Sequence, residues 1–191
     1  GESANVVVDL GVSKTVSVTP VIPHPTETGV RFKATEESMT LNELTTSANF
    51  TYFTEYEVKL DTSPAKLTLP GGSGWYRKDS SFNSSARTEI PGDPGVQYKF
   101  SNWLLPNGSS VTSASLSLTV DGTKTIVANY DTYYQLIIQS AYGKTEGAGW
   151  YKSGAEASWN VVNEQVPMPG FIGFFQGKYR AVNPGGKVVI T

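Results

Sequence analysis

A six-residue motif that occurs twice constrains the fold of this chain more than any other feature. Residues 72–77 read GSGWYR, and residues 147–152 read GAGWYK. Each copy follows a stretch rich in aromatic and aliphatic residues, 56–60 and 134–138, which predicts a β-strand. Because the same local sequence in the same context favours the same local structure, we expect two related β-structures.

The repeats suggest how the 191-residue chain is divided. We interpret residues 29–55 as a half repeat, 56–132 as a full repeat and 133–191 as a shortened one. The predicted fold class is all-β, with two Ig-like β-sandwich domains behind an extended amino-terminal donor strand and linker over residues 1–22. The first β-sandwich domain would cover residues 23–132, and a smaller one residues 133–191. One larger sandwich with a duplicated hairpin is the alternative.

Local signals predict the connections between the strands. The Asp-Gly pair within residues 120–124 and the Asn-Pro-Gly-Gly of residues 183–186 predict hairpin turns, and residues 106–108 predict a third turn. Residues 34–44 are the one stretch with helix-forming character, and we expect one or two helical turns there. The prolines of residues 19–25 leave no room for a ladder of hydrogen bonds, so an extended linker is expected.

In the segment from residue 5 to residue 19 an aliphatic residue stands at nearly every even-numbered position. This period places all the even-numbered side chains on one face of a strand. That face is the predicted donor-strand interface and consists of Val6, Val8, Leu10, Val12, Val16 and Val18. Lys14 alone breaks it. At ~3.3 Å per residue the strand would span roughly 40 Å, which exceeds the usual length of about 17–20 Å.

This strand could pair with either of two sheets. It can fold back into its own sandwich, or it can dock into a neighbouring copy, which is donor-strand complementation. The last repeat stops where the full repeat continues into residues 128–130, and the front half repeat lacks its leading strands. We therefore expect each copy to complete the next and to form a head-to-tail homopolymer.

The repeat layout resembles that of a known class of surface protein. Its Tyr-x-Leu strands, the Gly-x-Gly-Trp-Tyr motif and the closing Ala-Asn-Tyr of residues 128–130 resemble β-repeats in surface proteins of archaea. With the alternating amino-terminal strand, most of the chain resembles a subunit of archaeal surface filaments, namely the threads of Sulfolobales and, more distantly, the bundling pili. The resemblance implies heavily N-glycosylated β-sandwich subunits joined by donor strands, with a role in adhesion or cell–cell contact.

Composition limits the other classes of function. There is no cysteine, so disulfides and thiolate metal sites are excluded. The net charge is −2 and no block of like charge occurs, so nucleic acid is not an expected partner. No apolar run approaches the ~20 residues of a membrane-spanning helix, and no membrane insertion is expected. A start at Gly1 predicts a secreted, extracellular cell-surface protein whose signal peptide has been removed, with trimming of an expression tag as the alternative.

Three sequons predict N-linked glycans, and no other cofactor is expected. They begin at Asn49, Asn83 and Asn107. Asn107 falls in a predicted turn, and Asn83 falls in a polar stretch that is predicted to be a loop. Both places can accommodate an oligosaccharide. Asn49 lies beside a predicted strand.

Candidates for catalysis are few, and we predict that the chain is not an enzyme. His24, the one histidine, lies between two prolines and reads as a solvated linker residue. Glu36 and Glu37 are adjacent, so their carboxylates would point in different directions rather than form an acid–base pair. Residues 71–74 form a Gly-rich turn that opens no helix, unlike a phosphate-binding loop. Neither catalytic residues nor a metal-ligand spacing emerge from the sequence.

The aromatic pairs of the repeated motif raise a second function. Trp75, Tyr76, Trp150 and Tyr151 offer flat surfaces on which sugars could stack. Their recurrence at equivalent places favours core or corner packing instead. The alternative to a filament subunit is therefore a carbohydrate-binding or adhesion module of a larger surface protein, with surface glycans as its partners.

Overall fold

A computed structural model describes residues 9, 11–42, 47–141, 143–162, 165–167, 178–180 and 185–191. These residues contain eighteen β-strands and no helix, which confirms the predicted all-β class. In chain order the strands are β1 (Lys14–Ser17), β2 (Val21–Pro23), β3 (Val30–Ala34), β4 (Ser38–Leu41), β5 (Tyr52–Ser63), β6 (Gly74–Arg77), β7 (Ser81–Ser85), β8 (Glu89–Pro91), β9 (Val96–Leu104), β10 (Ser110–Val111), β11 (Ser115–Thr119), β12 (Lys124–Leu136), β13 (Lys144–Glu146), β14 (Gly149–Lys152), β15 (Glu156–Val162), β16 (Gln165–Pro167), β17 (Lys178–Arg180) and β18 (Gly185–Val189).

The strands form several sheets. The largest has nine strands with the order β10-β9-β12-β5-β3-β2, and β14, β6 and β8 pair with β12, β5 and β9 respectively. A three-stranded sheet has the order β13-β15-β18. Two-stranded sheets are formed by β1 with β4, β7 with β11 and β16 with β17.

The chain forms two compact units that alternate along the sequence. Unit 1 comprises Gly1–Asp61, Leu69–Ser85 and Trp103–Val127, and unit 2 comprises Thr62–Thr68, Ala86–Asn102 and Ala128–Thr191. Each unit is therefore assembled from separate stretches of chain. The predicted domain boundary between residues 132 and 133 stays a prediction.

Each unit has its own apolar core. The fully buried side chains of unit 1 include Val58, Phe82 and Trp103, and the Trp103 indole N–H donates to the Ala114 carbonyl oxygen at 3.1 Å. The buried apolar residues in the described part of unit 2 are Ala86, Ile90, Ala128, Tyr130, Ala157, Val161 and Ile190. Alternation along the strands places these residues on the inner face and leaves polar neighbours on the other.

The repeat predicted from the Gly-x-Gly-Trp-Tyr motif is present in the backbone. In unit 1 the motif strand β6 pairs with β5, and Tyr56 lies opposite Tyr76. In unit 2 the motif strand β14 pairs with β12, and Tyr134 lies opposite Tyr151. The two motifs therefore pair with their long strands in the same register.

Each motif also closes on itself through its tyrosine. The Tyr76 hydroxyl donates to the Gly72 carbonyl oxygen at 2.6 Å, and the Tyr151 hydroxyl donates to that of Gly147 at 2.8 Å. Both glycines have positive φ, 120° and 92°, a region that favours glycine. The prediction of corner packing is thus correct for the two tyrosines.

One of the predicted turns does not make a hairpin. The Asp-Gly turn of residues 120–124 joins β11 and β12, but β11 pairs with β7. The hairpin turn predicted at residues 183–186 stays a prediction, because residues 181–184 lie outside the described residues; of the strands on either side, β17 pairs with β16 and β18 pairs with β15. A turn signal specifies a chain reversal, whereas pairing depends on partners far away in sequence. The turn at residues 106–108 is confirmed, since β9 and β10 pair across it.

Two further expectations are wrong. Within the proline-rich residues 19–25, Val21–Pro23 form strand β2, which pairs with β3 at the end of the large sheet. A proline is tolerated there because an edge strand leaves one side of its backbone unpaired. Within residues 34–44, Ser38–Leu41 form strand β4 instead of a helix, because pairing with β1 outweighs a weak helix propensity.

Gly147 provides a test of the corner geometry. A Cβ added at this position would clash with the carbonyl oxygen of Ser158, and its φ is +92°. We expect Gly147→Ala to lower the free energy of unfolding by more than about 2 kcal/mol in urea titrations, because both strain and a backbone shift are required.

Gly149→Ala is the matched control. Its added Cβ would meet only the Tyr151 ring, at 3.9 Å. A change of less than about 1 kcal/mol is expected there, and equal losses for the two variants would contradict the predicted role of Gly147.

Candidate functional site

The described part of the amino-terminal strand pairs within its own chain over four residues. In the β1–β4 pair Val16 lies opposite Met39, and the Val18 N–H donates to the Glu37 carbonyl oxygen at 2.9 Å. Val16 and Val18 are half-buried, whereas Val12 is 55% exposed. The other predicted interface residues, Val6, Val8 and Leu10, lie outside the described residues. The self-paired strand thus covers its apolar face incompletely.

All three sequon asparagines are exposed. Asn49 precedes β5, and Asn107 lies in the turn between β9 and β10, where its Oδ1 accepts hydrogen bonds from the Ser109 backbone N–H and hydroxyl at 3.0 and 2.7 Å. Asn83 lies in strand β7 opposite Ser117, not in a loop as the sequence suggested. Their side chains are accessible in each case.

The one histidine stabilises a turn by accepting a backbone hydrogen bond. His24 follows β2, and its Nδ1 accepts the Glu27 backbone N–H at 3.1 Å while its ring lies 5.5 Å from that of Phe32. These contacts organise the β2–β3 connection. Glu36 and Glu37 are both exposed. Among the described residues no group of three or more His, Asp or Glu side chains is placed to hold a metal ion.

A hairpin with a shared sequence occurs three times and was missed by sequence reasoning. Strands β2, β8 and β16 read VIP, EIP and QVP. Each pairs with the strand that follows it, with Ile22 opposite Phe32, Ile90 opposite Tyr98 and Val166 opposite Tyr179. The recurring aliphatic-Pro pair, followed by an aromatic-basic pair in the next strand, is a signal that could have been found.

The first two hairpins occupy equivalent places in the two units. The Glu57 N–H donates to the Gly29 carbonyl oxygen at 2.9 Å, and the Gln135 N–H donates to that of Gly95, also at 2.9 Å. Gly29 and Gly95 both have positive φ, 76° and 83°. This match makes Gln97 in β9 the counterpart of Arg31 in β3, and the register of β6 and β14 makes Trp150 the counterpart of Trp75.

In unit 1 the hairpin turn and Trp75 line a cavity of about 500 Å³. The Arg31 guanidinium lies over the indole of Trp75, 4.2 Å from the ring centroid. Its Nε donates to a carboxylate oxygen of Glu55 at 2.7 Å, and Glu55 is only 7% exposed. The ion pair holds the guanidinium in a favourable cation–π position. The indole face of Trp75 is therefore occupied by the chain itself.

In unit 2 the equivalent cavity has about 510 Å³ and is lined by residues 89–93, Val96, Gln97 and Trp150. Trp150 retains 39% of its surface exposed. No cation is found over the indole of Trp150 among the described residues: the Lys99 ammonium lies over Tyr133 instead, 4.9 Å from the ring centroid, and pairs with Glu89 at 3.3 Å. Trp75 is half-buried and Trp150 is exposed, so core packing, one of the two expectations for the repeated aromatic residues, is found for neither tryptophan.

A second lysine lies on the same face of β14. Strand alternation places Lys152 beside Trp150, opposite Tyr133. The Asp131 carboxylate, 2.8 Å from the Lys152 ammonium, raises the pKa of that group through a hydrogen bond and charge attraction. The Lys152 ammonium thus remains protonated and paired with Asp131 at neutral pH.

No family model, curated protein or solved structure matches this chain. Within the described ranges there is no helix long and apolar enough to span a membrane.

Arg31 and Gln97, equivalent in position, should differ in their effect on stability. Arg31→Ala leaves the buried Glu55 carboxylate without its partner, so a loss of about 2–3 kcal/mol is expected in urea unfolding. Gln97→Ala removes no such partner, and a change within about 0.5 kcal/mol is expected. Equal effects of the two substitutions would argue against the ion pair as the anchor of Arg31.

Proposed function

We propose that this chain is the structural subunit of an extracellular cell-surface filament. It polymerises head-to-tail by inserting its amino-terminal strand into the neighbouring subunit, and the filament serves adhesion or cell–cell contact. Each subunit is secreted with loss of its signal peptide, carries N-linked glycans and consists of two Ig-like β-sandwich domains preceded by the donor strand. It has no enzymatic activity. The resemblance to archaeal surface filaments motivates this proposal.

The observation that carries the proposal is the exposed edge of strand β18 in unit 2. This strand pairs with β15 and, among the described residues, with no second strand. All five of its residues are exposed, including Val188 at 37% and Val189 at 59%. An uncovered edge with apolar side chains recruits further strands. A strand donated by another subunit would cover it by β-augmentation.

The third hairpin supports the same interpretation. Strand β3 of the first hairpin lies on the long strand β5, and β9 of the second lies on the long strand β12. The third, β16–β17, forms a two-stranded sheet of its own in the described part of the chain. It therefore offers a further place where a long strand from a neighbour could pair.

The donor strand is available at modest cost. Its described part gives up the four-residue pairing with β4 and the hydrogen bonds of Val18 to Glu37 and of Thr19 to Tyr52, and it gains a longer ladder. Burial of the six predicted interface side chains at ~1.5–3 kcal/mol each would contribute on the order of 10 kcal/mol before ordering costs. Since the donor and acceptor surfaces differ, the contact does not close on itself and a filament results.

Val12 allows the donor strand to be tested without disturbing the subunit. Its side chain is 55% exposed in the single chain, so Val12→Asp should leave folding unchanged. In a filament it would place a charge in an apolar groove, which costs several kcal/mol. We expect negative-stain microscopy and size-exclusion chromatography to show loss of filaments and accumulation of monomer.

Ser13→Asp is the control, because it introduces the same charge at the next residue, on the opposite face of the strand. Filaments should persist in this variant. Filaments formed equally well by Val12→Asp, or a wild-type chain that stays monomeric at high concentration, would refute the polymerisation model.

Glycosylation is tested by mass spectrometry of the protein from its native source. Exposure of all three asparagines predicts that tryptic peptides containing Asn49, Asn83 and Asn107 carry N-linked glycans. Asn107 lies in a turn and is the most accessible of the three, so we expect the highest glycan occupancy at this position. Unmodified asparagine at all three positions would exclude the glycoprotein assignment.

A further inference from the structure

The two equivalent cavities differ in the residues that surround the tryptophan. In unit 1, Arg31, Glu55 and Glu57 surround Trp75, and all three are charged. Their counterparts in unit 2 are uncharged, and the register identifies them as Gln97, Tyr133 and Gln135. The duplicated site has therefore lost its internal ion pair and kept its indole.

This exchange leaves an exposed indole bordered by neutral hydrogen-bonding groups. Gln97 lines the same cavity as Trp150, and the exposed Gln135 lies directly opposite Trp150 in the β12–β14 pair. Cross-strand neighbours have Cβ atoms about 4.5–5.5 Å apart. Each side-chain amide offers both donors and an acceptor. The arrangement combines an aromatic base with polar groups that fix orientation, as small-molecule sites do.

The charges around Trp150 disfavour ionic ligands. The carboxylates of Glu89 and Asp131 are already paired with the ammonium groups of Lys99 and Lys152, so a further cation would have to displace a lysine from either of them. Glu89 in the cavity wall is paired with Lys99, and Asp93 in the same wall would repel an anion. A neutral ligand avoids both costs.

We propose that the Trp150 cavity of unit 2 binds a neutral pyranose. The C–H face of the sugar ring stacks on the indole, whose negative π-face attracts its weakly positive hydrogens. The hydroxyl groups at the rim of the ring exchange hydrogen bonds with the amides of Gln97 and Gln135. Binding involves one unit of one chain, so it does not depend on the proposed polymerisation.

Saturation-transfer NMR on the intact chain tests this proposal. The probes are methyl β-D-glucopyranoside, methyl β-D-galactopyranoside and methyl α-D-mannopyranoside, each at up to about 20 mM, which detects millimolar affinity. We expect at least one to receive saturation, most strongly at the ring hydrogens of one face. Trp150→Ala should weaken that binding about tenfold or more.

Trp75→Ala is the matched control, because it removes the equivalent indole that Arg31 already covers, and the sugar affinity should not change. Gln97→Arg introduces the guanidinium of unit 1 beside Trp150 and should reduce binding without removing the indole. Circular dichroism establishes that each variant is folded.

Three outcomes would overturn the proposal. One is the absence of saturation for all three sugars with the wild-type chain. Another is undiminished sugar binding by folded Trp150→Ala and Gln97→Arg variants. The third is tighter binding of N-acetyl-arginine amide than of any sugar at Trp150, which would make the cavity a site for a cationic partner.

Discussion

Backbone pairing along the long strands β5 and β12 is the constraint on which the rest of the structure depends. Strand β5 pairs with β3 and with the motif strand β6, and β12 pairs with β14. These pairings fix the register that brings each tryptophan next to its hairpin. Since a shift of one residue would turn every side chain to the opposite face, the core and the outer surface are set together. The tyrosine corners then hold each motif in place.

The sequence predicted those parts of the fold that depend on local signals. The Gly-x-Gly-Trp-Tyr motif carries its own turn, glycine and tyrosine, so its duplication was visible and its corner packing was anticipated. The pairing of β11 with β7 and of β1 with β4 depends on distant partners, so a hairpin and a helix were predicted wrongly. The aliphatic-Pro hairpins were overlooked although their signal is local.

The candidate site shows the same division. Trp75 and Trp150 have nearly identical neighbours in sequence, and nothing local separates them. Their difference arises from Arg31 and Gln97, which lie on other strands and become comparable only once the hairpins are aligned. Duplication has thus produced one indole stabilised by its own chain and one that faces solvent. For the donor strand the reverse holds. The sequence shows its alternating apolar face directly, but it does not show which strand this face pairs with.

The alternation of the two units along the chain has a consequence for how the protein is made. Unit 1 includes Trp103–Val127, and residues 86–102 of unit 2 come before that segment. During synthesis unit 1 therefore cannot be completed until the first hairpin of unit 2 has already emerged. A nascent chain must hold these apolar strands incomplete for longer than two consecutive domains would, and such intermediates expose strand edges that aggregate. Early folding steps are therefore the stage at which this topology is most in need of protection.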